Sequence, residues 1–341
     1  MPQSFRSYHP IDPILSGLLI DATPELDSKL IVPAIFDTVT VPTKSFTILV
    51  ENKRNFNGGQ SAGVDAKRAP GAKRATLNGF DRTNLTAAVD SYSFQDSIPM
   101  EEIRDSLFPG SEEQRLTLKV NMALKIVREQ LGAELLFTAA NWANSSLAAL
   151  GGGSNGTTWS QAGAEPLTDL HVLFDTVKNN ASGRSPDTLI LSYKAVRALA
   201  RNPEIRGIFL ATSGAAAGER VLPNGAVIDV LKAHLGIQNI YIGESQIETA
   251  VSGLSSSQSQ IWAADKVWMG CLKGSNPIQQ IAGVKVAPTA ALHFELGGAN
   301  GLPTAGSYDE SDMTKRYVWG EFVSKYSIID NALGYCMTSC V

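Results

Sequence analysis

The residues of this 341-residue sequence that could do covalent or metal chemistry are few and scattered. Gly152-Gly153-Ser154-Asn155-Gly156 matches the G-x-S-x-G pattern of a nucleophile elbow, in which a strand delivers the serine and a helix follows at once. Here an amphipathic helical run and glycines precede Ser154, and Gly-Thr-Thr-Trp follows, so the pattern is present in the wrong setting. His9, His171, His234 and His293 stand alone, and so does Cys271, while Cys336 and Cys340 have no second ligand pair. Three cysteines build no disulfide framework. No H-E-x-x-H, Cys-x2-Cys, Walker loop or G-x-G-x-x-G occurs, so neither a metal nor a cofactor is expected, and no enzymatic activity. Glu101-Glu102 and Glu112-Glu113 pair carboxylates, but at a presumed helix start, where the macrodipole accounts for them.

What remains is positive charge and aromatic surface. The segment from Lys44 to Arg82 has eight basic and three acidic residues, a balance of +5. The other 21 basic and 30 acidic residues leave −9, and the whole chain −4. Lys53-Arg54, Lys67-Arg68 and Lys73-Arg74 lie in a glycine-rich stretch roughly twice the usual 12–15-residue limit for a structureless loop. Such a segment reads as a basic finger laid on an acidic neighbour or on nucleic acid. Trp142, Trp159, Trp262, Trp268 and Trp319 are divided evenly between two readings, core packing and interface anchors.

The elements that must position these residues can be read from periodicity. Five prolines in residues 1–35 prevent a long helix and favour an extended arm with little core of its own. Thr38 to Val50 is β-branched and split by Pro42, and Thr86 to Gln95 places Ala88, Tyr92 and Phe94 on one face of a strand. After Pro109-Gly110, Ser111 and Gln114 form a capping box, and Leu116, Val120, Ala123, Val127, Leu131 and Leu135 follow at helical spacing. The stripe continues to about Trp142, a rod of about 45 Å that Gly132 could bend. Residues 186–280 alternate strand and helix, including Asp187 to Ser192, Lys194 to Arg201, Ala226 to Leu235 and Asn239 to Gly243. The tail from Ile281 is strand-like. The first thirty residues have no basic region before their short, broken apolar run, so neither a signal peptide nor a spanning helix is expected and a cytosol-like compartment is. Hydrophobic residues at 43% and charged residues at 18% exclude a wholly disordered chain.

Taken in order, these features resemble a known family. A Pro-rich arm, a basic strand-loop-strand and a capped long helix ending AANWANSSLAALGGG are followed by SPDTLILSYKAVRALARNPEIRGIF, AVIDVLKAHLGIQNIYIGESQIETA and IWAADKVWMGCL. The series resembles the major capsid proteins of tailed bacteriophages with the Hong Kong 97-type fold. The resemblance implies an α+β chain with an N-terminal arm (1–35), an E-loop region (36–98), a P-domain (99–185 and 281–341) and an A-domain (186–280). It implies pentamers and hexamers of the chain itself, assembled in the host cytoplasm into an icosahedral virion shell around double-stranded DNA, with no membrane contact. Lys53, Arg54, Lys67, Arg68, Lys73, Arg74, Trp142 and Trp262 are the candidate intersubunit contacts, and Ala211 to Asn224 is a candidate loop near the capsomer axis. Portal, decoration and scaffolding proteins are possible partners; the chain opens on the arm, so scaffolding would be a separate protein or not needed. Contact with DNA is expected to be non-specific, since no recognition helix is visible. The alternative is an encapsulin-like compartment holding cargo enzymes.

Overall fold

The computed structural model describes residues 29–51, 70–71, 82–105, 109–143, 158–161, 163–181, 184–213, 221–250, 255–273, 289–296, 304–312 and 314–341. In chain order the elements are α1 (Val32–Ile35), β1 (Thr38–Val41), β2 (Ser45–Glu51), β3 (Arg82–Ala88), β4 (Asp90–Pro99), α2 (Met100–Asp105) and α3 (Pro109–Phe137). Next come α4 (Pro166–Asn180), β5 (Thr188–Ser192), α5 (Tyr193–Arg201), α6 (Pro203–Ser213), α7 (Asn224–Leu235) and β6 (Asn239–Gly243). The described residues close with β7 (Gln246–Glu248), β8 (Gln258–Gln260), β9 (Val267–Gly270), β10 (Ala291–Leu296), β11 (Thr304–Asp309), β12 (Lys315–Ile328) and β13 (Gly334–Met337).

Two sheets organise the molecule. In the first, the 14-residue β12 is the central strand, with β4 along one side and β11 and β10 in succession along the other. β1 then adds in parallel to β10. In the second, the order is β13-β9-β5-β6, with β5 and β6 parallel and the rest antiparallel. All five residues of β5 are buried, the mark of a strand covered on both faces. Ser192 ends β5 and caps α5, its Oγ accepting from the Ala195 N–H at 3.3 Å. Gly236, at φ +67°, supplies the left-handed residue that stops α7.

α3 joins the two layers. Val120 and Leu124 pack on Ala305 and Phe322 of the first sheet, while Ala133, Leu136 and Phe137 enter the large core around the second. Ion pairs fix its N-terminal half: Lys119 bonds Asp96 of β4, and Arg316 of β12 reaches Glu113 at 3.4 Å as well as Asp309 at 2.7 Å. At the other end the last carbonyls are capped by side chains. Asn141 Nδ2 donates to Leu135, Trp142 Nε1 to Leu136 and Lys266 Nζ to Phe137, at 2.9–3.0 Å.

Several expectations need correcting. The helix begins at Pro109, so Ser111 lies inside it rather than capping it, and it ends at Phe137 rather than near Trp142. The single strand expected from Thr86 to Gln95 is two, broken at Val89: β3 pairs with β2 alone, and β4 joins the first sheet. The loop boundary at 36–98 therefore cuts through that sheet, which owns β1 and β4. The tail is shared too, because β13 pairs β9 in the second sheet. At Gly132 the helix continues without a break. A Cβ there would sit 2.5 Å from Val32 Cγ2, so the missing side chain is the notch that seats α1. Gly132→Ala is expected to lower the thermal midpoint by several degrees and to expose the 29–36 segment to limited proteolysis, since overpacking of this kind costs about 1–3 kcal/mol.

Candidate functional site

Two features stand out from the sheets: the root of the leading arm and the β2–β3 ribbon. The arm root is buried within its own subunit, with Val32 and Ile35 wholly inaccessible and Ile31 and Phe36 nearly so. Phe36 lies against Tyr326 with ring centres 5.0 Å apart. The expectation that residues 1–35 have little core of their own thus fails for Ile31 to Ile35, because hydrophobic residues flanking Pro33 fold into one helical turn against α3.

Glu129 of α3 clamps this root. Its Oε1 accepts from the Ile31 N–H at 3.1 Å, Trp262 Nε1 at 2.8 Å and Ser245 Oγ at 3.3 Å, and its Oε2 from the Val32 N–H at 3.0 Å. One carboxylate therefore ties the arm, the long helix and the segments flanking β7 and β8 together. Burial pushes the Glu129 carboxyl above its ordinary value, and the four donors pull it back only in part. Nothing local in the sequence marks this glutamate, whose partners lie 97 to 133 residues away.

The ribbon runs from Ser45↔Ala88 at its base to Glu51↔Arg82, and among the described residues it pairs with no other strand. Its root is apolar: Phe46 packs on Phe294 at 4.9 Å, and Ile48 lies against the cluster of Val41, Val89, Phe294 and Val323. Between Phe46 and Ile48, on the opposite face, Thr47 and Thr86 pair across the strands at 3.2 Å, and both are exposed. Seven residues per strand carry the ribbon about 24 Å from its base. A two-stranded ribbon is at best marginally stable in water alone, and here Phe46 and Ile48 anchor it on the core. Lys53, Arg54, Lys67, Arg68, Lys73 and Arg74 belong to the intervening chain and lie outside the described residues.

The two tryptophans expected at an interface are core residues. Trp142 is 3% exposed, donates to the end of α3 and packs on Trp268; Trp262 is inaccessible, donates to Glu129 and meets Phe137 edge-on. With both faces and both N–H groups engaged inside the subunit, neither is available to a neighbour. Of the proposed axial loop, Ala211 to Ser213 finishes α6 and Asn224 opens α7, while 214–220 lies outside the described residues.

The chemistry candidates do not converge. Ser154 and His9 lie outside the described residues, and His171 and His234 are exposed on separate helices. His293 is buried, stacked on Tyr326 at 4.5 Å and hydrogen-bonded through Nδ1 to Thr38 Oγ1, and burial lowers its pKa to about 3. Burial pushes the thiols of Cys271 and Cys336 up to about 12 and that of Cys340 higher still, far from the thiolate a nucleophile needs. Among the described residues no cluster of three metal-ligating side chains occurs, and no helix is long and apolar enough to cross a membrane.

No family model and no curated protein sequence matches this chain. The likeness is in three dimensions. A phage-related protein from Bordetella bronchiseptica superposes with a TM-score of 0.66 at 20% identity, over 97% of this chain and 98% of that one. The capsid of the cyanophage P-SCSP1u gives 0.52 at 12% identity, over 89% and 86%. A virus-like particle from Pyrococcus furiosus gives 0.52 at 11%, over 95% and 97%. Arm root, ribbon, long helix and both sheets all fall within one shared architecture.

Proposed function

From its Hong Kong 97-type capsid fold, we propose that this chain is the major building block of a closed icosahedral shell, assembled from pentamers and hexamers of itself around double-stranded DNA. The likeness to phage capsid structures from end to end of the chain supports a shell role. The observation that carries the self-assembling part is the ribbon: a two-stranded element rooted on the core through Phe46 and Ile48 and, among the described residues, paired with no further strand. Its second surface is a neighbouring copy, reached by the basic residues that follow Glu51 and precede Arg82. Obligate interfaces of this kind commonly bury 2,000 to 5,000 Å².

In this reading the buried cysteines and His293 are packing groups, and the virion wall is where the protein resides. Portal, decoration and scaffolding proteins are the further partners this reading admits. Expression of the chain followed by negative-stain electron microscopy and native mass measurement should give closed particles with nuclease-protected duplex. Material that stays monomeric at every concentration and salt tested would overturn the reading, and particles filled with protein cargo but no nucleic acid would replace the DNA container by an enzyme compartment.

A further inference from the structure

α5 is strongly one-sided. Ala195, Val196, Ala198, Leu199 and Ala200 are buried, and its exposed positions are Lys194, Arg197 and Arg201. Spaced i, i+3 and i+7, the three cations form a single stripe about 10 Å long. Among the described residues none of them forms an ion pair. Two carboxylates of neighbouring segments are engaged elsewhere: Asp169 accepts from Trp159 Nε1 at 2.9 Å, and Glu204 from the Leu167 N–H at 3.2 Å. Arg197 lies over the Tyr193 ring at 5.1 Å, which holds its guanidinium outward. Beside the stripe runs an open cleft of about 620 Å³, walled by Trp159, Gln161, Tyr193 and the three cations.

A helix whose exposed positions are all cationic, with no ion pair to them among the described residues, is an electrostatic footprint for a polyanion. A folded protein partner would need apolar area at the centre of its interface, and the exposed positions of α5 itself are all cationic. Two guanidinium forks and an ammonium suit phosphate oxygens. We propose that the Lys194, Arg197 and Arg201 stripe is where this chain meets the phosphodiester backbone of the duplex, so that α5 lies on the inner side of the wall. The inference rests on the shell reading above and adds to it the orientation of the subunit.

The test uses the full chain and a 30-base-pair duplex, with binding followed by fluorescence anisotropy across a sodium chloride series. Each phosphate contact contributes about 0.9 to the slope of log K against log salt. Changing Lys194, Arg197 and Arg201 together to Gln should flatten the slope by about 2–3 and weaken binding at least about ten-fold at low salt. Removing the same charge elsewhere, with Arg115, Lys119 and Lys232 all changed to Gln, should leave the slope where it was. Arg197→Lys with Arg201→Lys should keep it as well, since the charges remain, and all the substituted positions are exposed. An unchanged slope in the α5 triple variant overturns the inference. So does a wild-type chain that binds polyglutamate in preference to duplex, which would make the stripe a site for acidic peptide. Particle formation is scored separately by microscopy: particles together with an unchanged slope reject the orientation alone, and absence of particles rejects the shell reading on which it rests.

Discussion

Replacing Glu129 by Ala is expected to cost the subunit about 3–5 kcal/mol, the range found when one partner of a buried charged network is removed. The loss comes from what is stranded. The N–H groups of Ile31 and Val32 and the indole N–H of Trp262 would all remain buried with no acceptor, at roughly 1–3 kcal/mol each when uncompensated. Thermal unfolding should fall by about 5–10 °C, and hydrogen exchange at residues 31 and 32 should rise before that of α3. Glu129→Gln separates charge from hydrogen bonding, because its amide oxygen can replace Oε1 while its NH2 group opposes the Val32 N–H. Since burial raises the folded pKa of Glu129 above its unfolded value, the stabilising contribution of its protonation is complete below the unfolded value, near 4.5, and is lost as pH rises through the folded one. Wild type should therefore gain on Glu129→Gln as pH falls through that window, measured by urea denaturation of both proteins. A difference that widens with rising pH would mean that the carboxylate is better solvated than its four donors indicate.

The second large effect is on assembly. Deleting Asn57 to Leu77 leaves nine residues between Glu51 and Arg82, enough to close the ribbon in its observed register. The deleted protein should unfold within about 2 °C of wild type, because the core contacts of the ribbon's described side chains, in Phe46 and Ile48, lie outside the deletion. Closed particles should be lost, and sedimentation velocity should show monomers or capsomers instead. Full-size particles from this variant would show that the finger is not the part that holds copies together.

The comparison of sequence with structure divides along contact range. α3, α4, α5, α7 and the strands β5 and β6 were visible because their signals are local: apolar stripes at helical spacing, a serine cap at Ser192, a glycine stop at Gly236. The break at Val89 was not, because β-branched and aromatic residues continue through it and only the different partners of β3 and β4 separate them. The packing role of Gly132 was hidden because a helical glycine looks like a weak point until Val32, 100 positions earlier in the chain, is placed against it. Tryptophans gave the same trouble: side-chain type says that Trp142 and Trp262 anchor something, while only the fold says that they anchor α3 and Glu129. The cationic stripe on α5 was in plain view as Lys194, Arg197 and Arg201, but its meaning needed burial, which leaves those three side chains alone at the surface.

The parallel pairing of β1 with β10 has a consequence for how a cell makes this protein. Thr38 and His293 are 255 residues apart and hydrogen-bonded to each other. At roughly 5–20 residues per second on the ribosome, about 13–50 seconds separate the emergence of the two. Until then the stem from which both projections spring has no strand to dock on, so a half-made chain presents them without a fixed stance. The β1 edge of the first sheet is therefore completed only late in synthesis, after most of the chain has emerged.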